Sequence, residues 1–183
     1  VRLYIRYYAG CGSGKSEYAE NWLMEQSGGQ KDLLPLIYVA TMMPYTEETK
    51  KKIERHHRLR AGKGFRTIEK YTDMYKVQVP ENKGILLECI SNLIANELYR
   101  EDKVTGPEET VKRVVQGVRS LAGHTERLVI VTNEVNSDIN GYSEETERYR
   151  ACIGCINQEL AKMADCVTEV VYGIPVQLKG SRI

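Results

Sequence analysis

Eight residues near the start of the chain, Ala9-Gly10-Cys11-Gly12-Ser13-Gly14-Lys15-Ser16, constrain the fold more than anything else in the sequence. They stand between Arg2–Tyr8, an alternating run that reads as a strand, and Lys15–Gln26, which reads as a helix ended by Gly28-Gly29. That order of strand, glycine-rich turn and helix is the context of a P-loop. The glycines let the backbone wrap phosphate oxygens with successive N–H groups, and the helix N-terminus adds its partial positive charge. Lys15 is then placed to reach the β- and γ-phosphates and act in their transfer, and Ser16 to hold Mg²⁺. A dinucleotide loop fits less well, because Lys15 stands where G-x-G-x-x-G needs its third glycine. Ala9 takes the place of the motif's first glycine, which is tolerated unless the backbone there needs a positive φ.

Further along, short apolar runs alternate with helical stretches. Leu36–Ala40, Gly84–Leu87, Leu128–Thr132, Val167–Tyr172 and Val176–Leu178 read as strands. Glu47–Arg60, capped by Thr46, reads as a helix, as do Ile90–Arg100, Glu108–Leu121 after Pro107, and Glu144–Ala164. No element is read between Arg60 and Gly84. Strands separated by helices need crossover connections, hence a mostly parallel sheet covered on both faces. The last two strands are close enough for a hairpin. The fold class is therefore α/β: a P-loop NTPase-like three-layer fold with one antiparallel edge strand, residues 1–183 forming a single nucleotide-binding catalytic domain.

Composition removes several alternatives. The chain has 26 Lys+Arg against 25 Asp+Glu, a net charge of +1, so it lacks the basic field of a dedicated nucleic-acid binder. No apolar run approaches the ~18 residues of a membrane span; the longest, Leu33–Ala40, contains Pro35. No signal-peptide core is visible. Five cysteines in a chain of 183 residues imply no disulfide framework, and a cytoplasmic setting is the simplest.

Two carboxylates sit where a P-loop wants an acid to organise Mg²⁺: Glu88 after Gly-Ile-Leu-Leu, and Glu134 after Leu-Val-Ile-Val-Thr-Asn. A third feature is the segment Ile53-Glu54-Arg55-His56-His57-Arg58-Leu59-Arg60, crowded with basic residues. It reads plainly as a solvated helix face. An RNA-binding patch is a second reading, but no aromatic platform accompanies it. A nucleotidyl-transfer site is a third. A neutral imidazole nitrogen can attack the α-phosphorus of a nucleoside triphosphate, and an unperturbed histidine is about three-quarters neutral at pH 7. Arg58 and Arg60 stand ready by sequence for the leaving pyrophosphate.

In order along the chain stand the glycine-rich turn, Tyr38-Val39-Ala40-Thr41, Ile53-x-x-His56-x-x-x-Arg60, Phe65-Arg66-Thr67-Ile68-Glu69, Leu86-Leu87-Glu88-Cys89-Ile90, Val131-Thr132-Asn133-Glu134-Val135, Asn157-Gln158 and Gly173-Ile174-Pro175. Together they resemble the bifunctional adenosylcobinamide kinase/adenosylcobinamide-phosphate guanylyltransferase family of cobalamin biosynthesis, over nearly the whole length. The resemblance implies two reactions. A nucleoside triphosphate, GTP or ATP with Mg²⁺, phosphorylates the aminopropanol hydroxyl of adenosylcobinamide. GTP then guanylylates an enzyme histidine, and GMP passes to adenosylcobinamide phosphate, giving adenosyl-GDP-cobinamide.

The resemblance makes His56 the guanylylated residue, with His57 as second choice. It places Ala9, Gly10, Cys11, Gly12, Ser13, Gly14, Lys15 and Ser16 on the phosphates. His57, Arg58, Leu59 and Arg60 line the GTP site, with Ala40, Thr41, Met42 and Glu69 as further nucleotide contacts. Glu88 holds Mg²⁺ or the nucleotide. A carboxylate accepts from guanine N1–H and N2–H₂, so Glu69 is suited to tell G from A. The resemblance also implies a homotrimer with sites near subunit boundaries. The chain departs from the family at Ala9, at Phe65, where tryptophan is common, and in Asn136-Ser137-Asp138-Ile139-Asn140-Gly141, which replaces a Val-Gly-x-Gly run.

Other features read as structural. Cys152 and Cys155 have C-x-x-C spacing inside a helix, without the further ligands of a zinc site, and are expected in the core. His124 is expected at the surface. Two rivals share the P-loop: a small-molecule kinase with no guanylyltransferase half, in which His56 is a bystander, and a GTP-binding regulatory module without turnover.

Overall fold

The computed structural model describes the backbone of residues 2–7, and residues 14–28, 34–100, 104–133 and 142–180 in full. Ala9, Gly10, Cys11, Gly12, Ser13 and Glu134 lie outside the described residues.

Seven strands form one sheet in the order β3-β2-β4-β5-β1-β6-β7. They are β1 Arg2–Tyr7, β2 Leu36–Ala40, β3 Phe65–Glu69, β4 Gly84–Glu88, β5 Arg127–Val131, β6 Cys166–Val171 and β7 Ile174–Lys179. The first six run parallel, and β7 returns antiparallel on β6. Helices α1 (Lys15–Gln26), α2 (Glu47–Arg60), α3 (Ile90–Leu98), α4 (Pro107–Ala122) and α5 (Glu144–Met163) make the crossovers.

Side chains alternate across a strand, so the sheet builds two cores. Ile37, Val39, Ile85, Leu87, Leu128 and Ile130 face α3, α4 and α5. Leu36, Tyr38, Leu86, Val129 and Val131 face Ala19 and Leu23 of α1. Central strands buried on both sides read as unbroken apolar runs, which is why they are legible in the sequence.

Three expectations are corrected. Phe65–Glu69 is a strand. It lies at the sheet edge with Arg66 and Glu69 exposed, and its evidence is its main-chain pairing with β2 rather than an apolar run. Helix α3 stops at Leu98 and does not reach Arg100: Tyr99 leaves the helix to bridge Val104, and Arg100 reaches Asp73 and Glu97 instead. Cys152 is buried as expected, but Cys155 is exposed, off the stripe of α5 that buries Cys152, Ile153, Ile156 and Leu160. His124 is exposed. Among the described residues no helix is long and apolar enough to cross a membrane.

Gly117 shows packing overriding propensity. A β-carbon there would sit 2.6 Å from Cβ of buried Met74. Helix propensity favours Gly117→Ala by about 1 kcal/mol, yet the clash leads us to expect a net loss of about 1–3 kcal/mol, measured by urea unfolding. A more stable variant would contradict the packing.

Candidate active site

Parallel strands end together, and register sets what stands side by side there. Ala40 pairs with Glu69 on one side and Glu88 on the other, so the last residues of β3, β2 and β4 form a row. By the alternation above, Ala40 and Glu88 lie on the α1 side of the sheet with Tyr38. Helix α1 begins directly after Gly14, whose φ of 80° suits glycine and turns the chain into the first helical residue, Lys15. Ser16 follows, and its hydroxyl donates to Oε1 of Glu88. Glu88 accepts again at Oε2 from the Tyr38 hydroxyl, 3.1 Å away. Burial, then the neighbouring Glu88 charge, holds the Tyr38 phenol well above its ordinary pKa, so it stays a donor.

Helix α2 closes the site from above. Thr46 caps it through a reciprocal box with Thr49, and Arg60 is its only buried residue. The Arg60 guanidinium lies 3.4 Å from the centroid of the Tyr38 ring, which packs edge-on against Phe65. Nε and Nη1 of Arg60 are buried without a hydrogen-bond partner among the described residues. Buried donors left unsatisfied cost about 1–3 kcal/mol, more when charged. An anion entering beside Tyr38 would relieve that cost.

The resulting cleft is lined by Tyr38, Ala40, Met42, Ile53, His56, His57, Arg60, Glu69, Glu88, Cys89 and Asn92. Its volume is about 50 Å³, far below the roughly 300 Å³ at the small end for ligand pockets. Seating a nucleotide therefore requires a wall to give way. Two walls are sheet and α3, packed in the core; the third is α2, almost free of apolar burial.

Seven of the residues expected at the nucleotide thus meet in one cleft: Ala40, Met42, His56, His57, Arg60, Glu69 and Glu88. His56 is half-buried and His57 exposed. Arg58 and Leu59 lie on the outer side of α2 and do not line it. Thr41 is fully buried and its polar groups are engaged internally: its hydroxyl accepts from the Cys89 amide and donates to the Cys89 carbonyl, both at 2.8 Å, and its carbonyl accepts from Asn96. Gly14 faces a separate groove along α1 that Gly173 closes. Glu69 accepts from Tyr71, whose phenol is pushed up to about 12 by burial and by that bond.

The sequence reading gave no role to Tyr38, Asn92 or Glu20. Glu20 is 3% exposed on α1, one turn beyond Ser16, and accepts from Lys63 Nζ at 2.6 Å. Burial raises its carboxyl pKa, with Lys63 opposing. An acid between Ala19 and Leu23 on a core-facing helix stripe is the signal that could have found it.

A sheet of this order, with a lysine and a serine opening the helix after β1 and an acid ending β4, one strand removed from β1, places the chain among the P-loop-like α/β proteins. Comparison with known proteins narrows this. The family model described as cobinamide kinase / cobinamide phosphate guanyltransferase matches residues 8–178. The bifunctional adenosylcobalamin biosynthesis proteins CobU of Escherichia coli K12 and of Salmonella typhimurium LT2 are each 30% identical over 189 residues, covering 97% of this chain and 100% of theirs. The protein CobP of Pseudomonas aeruginosa, of the same description, is 28% identical over 176 residues, covering 93% of this chain and 94% of its own. The chain belongs to the cobinamide kinase / cobinamide phosphate guanyltransferase family.

Proposed function

We propose that this chain phosphorylates adenosylcobinamide with a nucleoside triphosphate and then transfers GMP from GTP, through guanylylated His56, to adenosylcobinamide phosphate. The observation that carries this reading is the meeting of His56, Arg60, Glu69 and Glu88 in one cleft beside the Ser16 end of α1.

In the first reaction the Lys15 ammonium and the amides opening α1 neutralise the transferred phosphoryl group, while the corrinoid hydroxyl attacks the γ-phosphorus and gives its proton to water, and the β–γ bridging oxygen leaves with the nucleoside diphosphate. Ser16 and Glu88 already touch, so they offer two adjacent hard oxygens. That donor set fits Mg²⁺, which takes one or two protein oxygens and completes its shell with phosphate and water. Bound there, the ion would offset charge on the phosphates.

In the second reaction an imidazole nitrogen of His56 attacks the α-phosphorus of GTP. The bond to the α–β bridging oxygen breaks, and pyrophosphate leaves with the electron pair toward Arg60, whose unpaired N–H groups receive it. A phosphate oxygen of adenosylcobinamide phosphate then attacks the same phosphorus and the imidazole leaves, so the transfer runs in two in-line steps. Incubation with α-labelled GTP tests the reading: an acid-labile, base-stable protein adduct supports it. No adduct in a preparation with kinase activity would favour a plain small-molecule kinase. Binding without any product from adenosylcobinamide would favour a regulatory module.

Glu69 supplies base choice. A bidentate carboxylate–base contact is worth about 1–3 kcal/mol. Glu69→Gln should therefore lower the preference for GTP over ATP in adduct formation about ten- to a hundredfold, leaving ATP-driven phosphorylation unchanged. An unaltered preference would remove Glu69 from base reading. A homotrimer in the cytoplasm completes the proposal, testable by light scattering on the purified chain.

A further inference from the structure

The position of α2 relative to the phosphate-binding helix decides whether His56 reaches a triphosphate, and apolar packing contributes little to that position. Thirteen of its fourteen residues are not buried; the exception is Arg60, at its C-terminal end. Non-directional burial fixes an element only where there is surface to bury. Directional polar contacts at the end of α2 are left to set its pose.

One of these is Arg60 on Tyr38. The other lies three residues on. After Arg60 the chain turns through Gly62 and Gly64, with φ values of 81° and 78°, and holds Lys63 between them. The Lys63 amide donates to the Arg60 carbonyl at 3.0 Å, and the Gly64 carbonyl accepts from Leu36 at the start of β2. Lys63 then sends its ammonium inward to Glu20, at 2.6 Å, where the two side chains are 26% and 4% exposed. Glu20 stands one turn beyond Ser16, so the pair joins the end of α2 to the helix that begins at the phosphate cradle. Glu20 also lies within electrostatic reach of Glu88 and Arg60.

We propose that the Glu20–Lys63 pair is a positioning device for guanylyl transfer: it ties the turn after α2 to the phosphate-binding helix, so that when α2 gives way to a nucleotide its C-terminal end stays anchored and His56 stays within reach of the triphosphate. The proposal rests on His56 being the nucleophile. It assigns Glu20 and Lys63 no contact with the reacting atoms. A strut of this kind acts on the step that needs α2 and spares the one that needs only the cradle. Misplacing a nucleophile by an ångström costs about a hundredfold.

The test compares Lys63→Met, Lys63→Arg and Glu20→Gln with the unaltered chain. Three readouts are taken: the first-order rate of the adduct from α-labelled GTP at saturation, the kinase kcat with ATP, and amide hydrogen exchange across residues 53–63. Lys63→Met and Glu20→Gln should slow the adduct about ten- to a hundredfold, leave the kinase kcat unchanged and speed exchange in α2. Lys63→Arg, which keeps the charge and the donors, should restore the adduct rate. Equal losses in both reactions, an unchanged adduct rate, or an arginine variant as slow as the methionine one would each overturn the proposal. If the unaltered chain forms no adduct, the His56 reading has failed. Exchange in α2 then shows whether the tether itself exists, and unchanged protection in the variants would remove that too.

Discussion

Lys15→Ala should abolish phosphorylation of adenosylcobinamide and sharply weaken triphosphate binding. The residue is the first of α1, directly after the left-handed Gly14, where four backbone N–H groups have no helical partner and the helix is partially positive. A triphosphate brings concentrated negative charge to that end, and the proposed part of the Lys15 ammonium is to offset it as charge shifts to the leaving oxygen. Removing one such preorganised donor costs about a hundred- to a thousandfold in kcat, and removing a full charge should cost at least that. The measurement is phosphorylated corrinoid formed per minute, with nucleotide binding by equilibrium dialysis. An unchanged circular dichroism spectrum would show that the fold survives. Activity near that of the unaltered chain would place the phosphates elsewhere.

His56→Ala should eliminate the GMP adduct while sparing at least part of the kinase activity. His56 lines the cleft half-buried and neighbours Arg60, whereas the residues proposed for the kinase step stand on α1 and β4. On that proposal the two functions use different elements around one cleft, and a change in α2 should separate them. Labelled GTP followed by acid and base treatment gives the readout. Persistence of the adduct would shift the assignment to His57, next along the helix and also on the cleft wall. Loss of both activities would mean that α2 serves the cradle itself.

Much of the architecture was legible before any coordinates. The ends of α1, β2 and α2 match the sequence reading because each has a local cause: Gly14 and Gly28 around α1, an apolar run for β2, and the Thr46 box opening α2. Strand β3 was not legible, because an edge strand with alternate residues in water carries no apolar run, and its hydrogen bonds come from β2. The end of α3 was misread for a similar reason. Nothing in Tyr99-Arg100 forbids a helix, and a bridge to Val104 decides against one.

The site divides along the same line. Residues that owe their place to a local pattern were named in advance: Lys15 and Ser16 by the glycine turn, Glu88 by its place at a strand end, His56 by its motif; the structure sets Ser16 against Glu88 and puts Glu88 and His56 in one cleft. Residues that owe theirs to three-dimensional neighbours were not. Tyr38 matters because Arg60 lies on its ring and its hydroxyl donates a hydrogen bond to Glu88; Glu20 matters because a lysine 43 positions away reaches it. Thr41 shows the converse, with its hydroxyl and carbonyl bound inside the fold.

By itself the sequence determined the parallel α/β sheet, the helix that opens at Lys15 and the family, because helix caps, glycine turns and strand alternation are properties of neighbouring residues. Only the tertiary structure decided which side chains share the cleft, that two Arg60 donors there have no partner among the described residues, and that Glu20 holds Lys63. Strand register and helix packing bring together residues far apart in the chain, and no local pattern records which of them will meet.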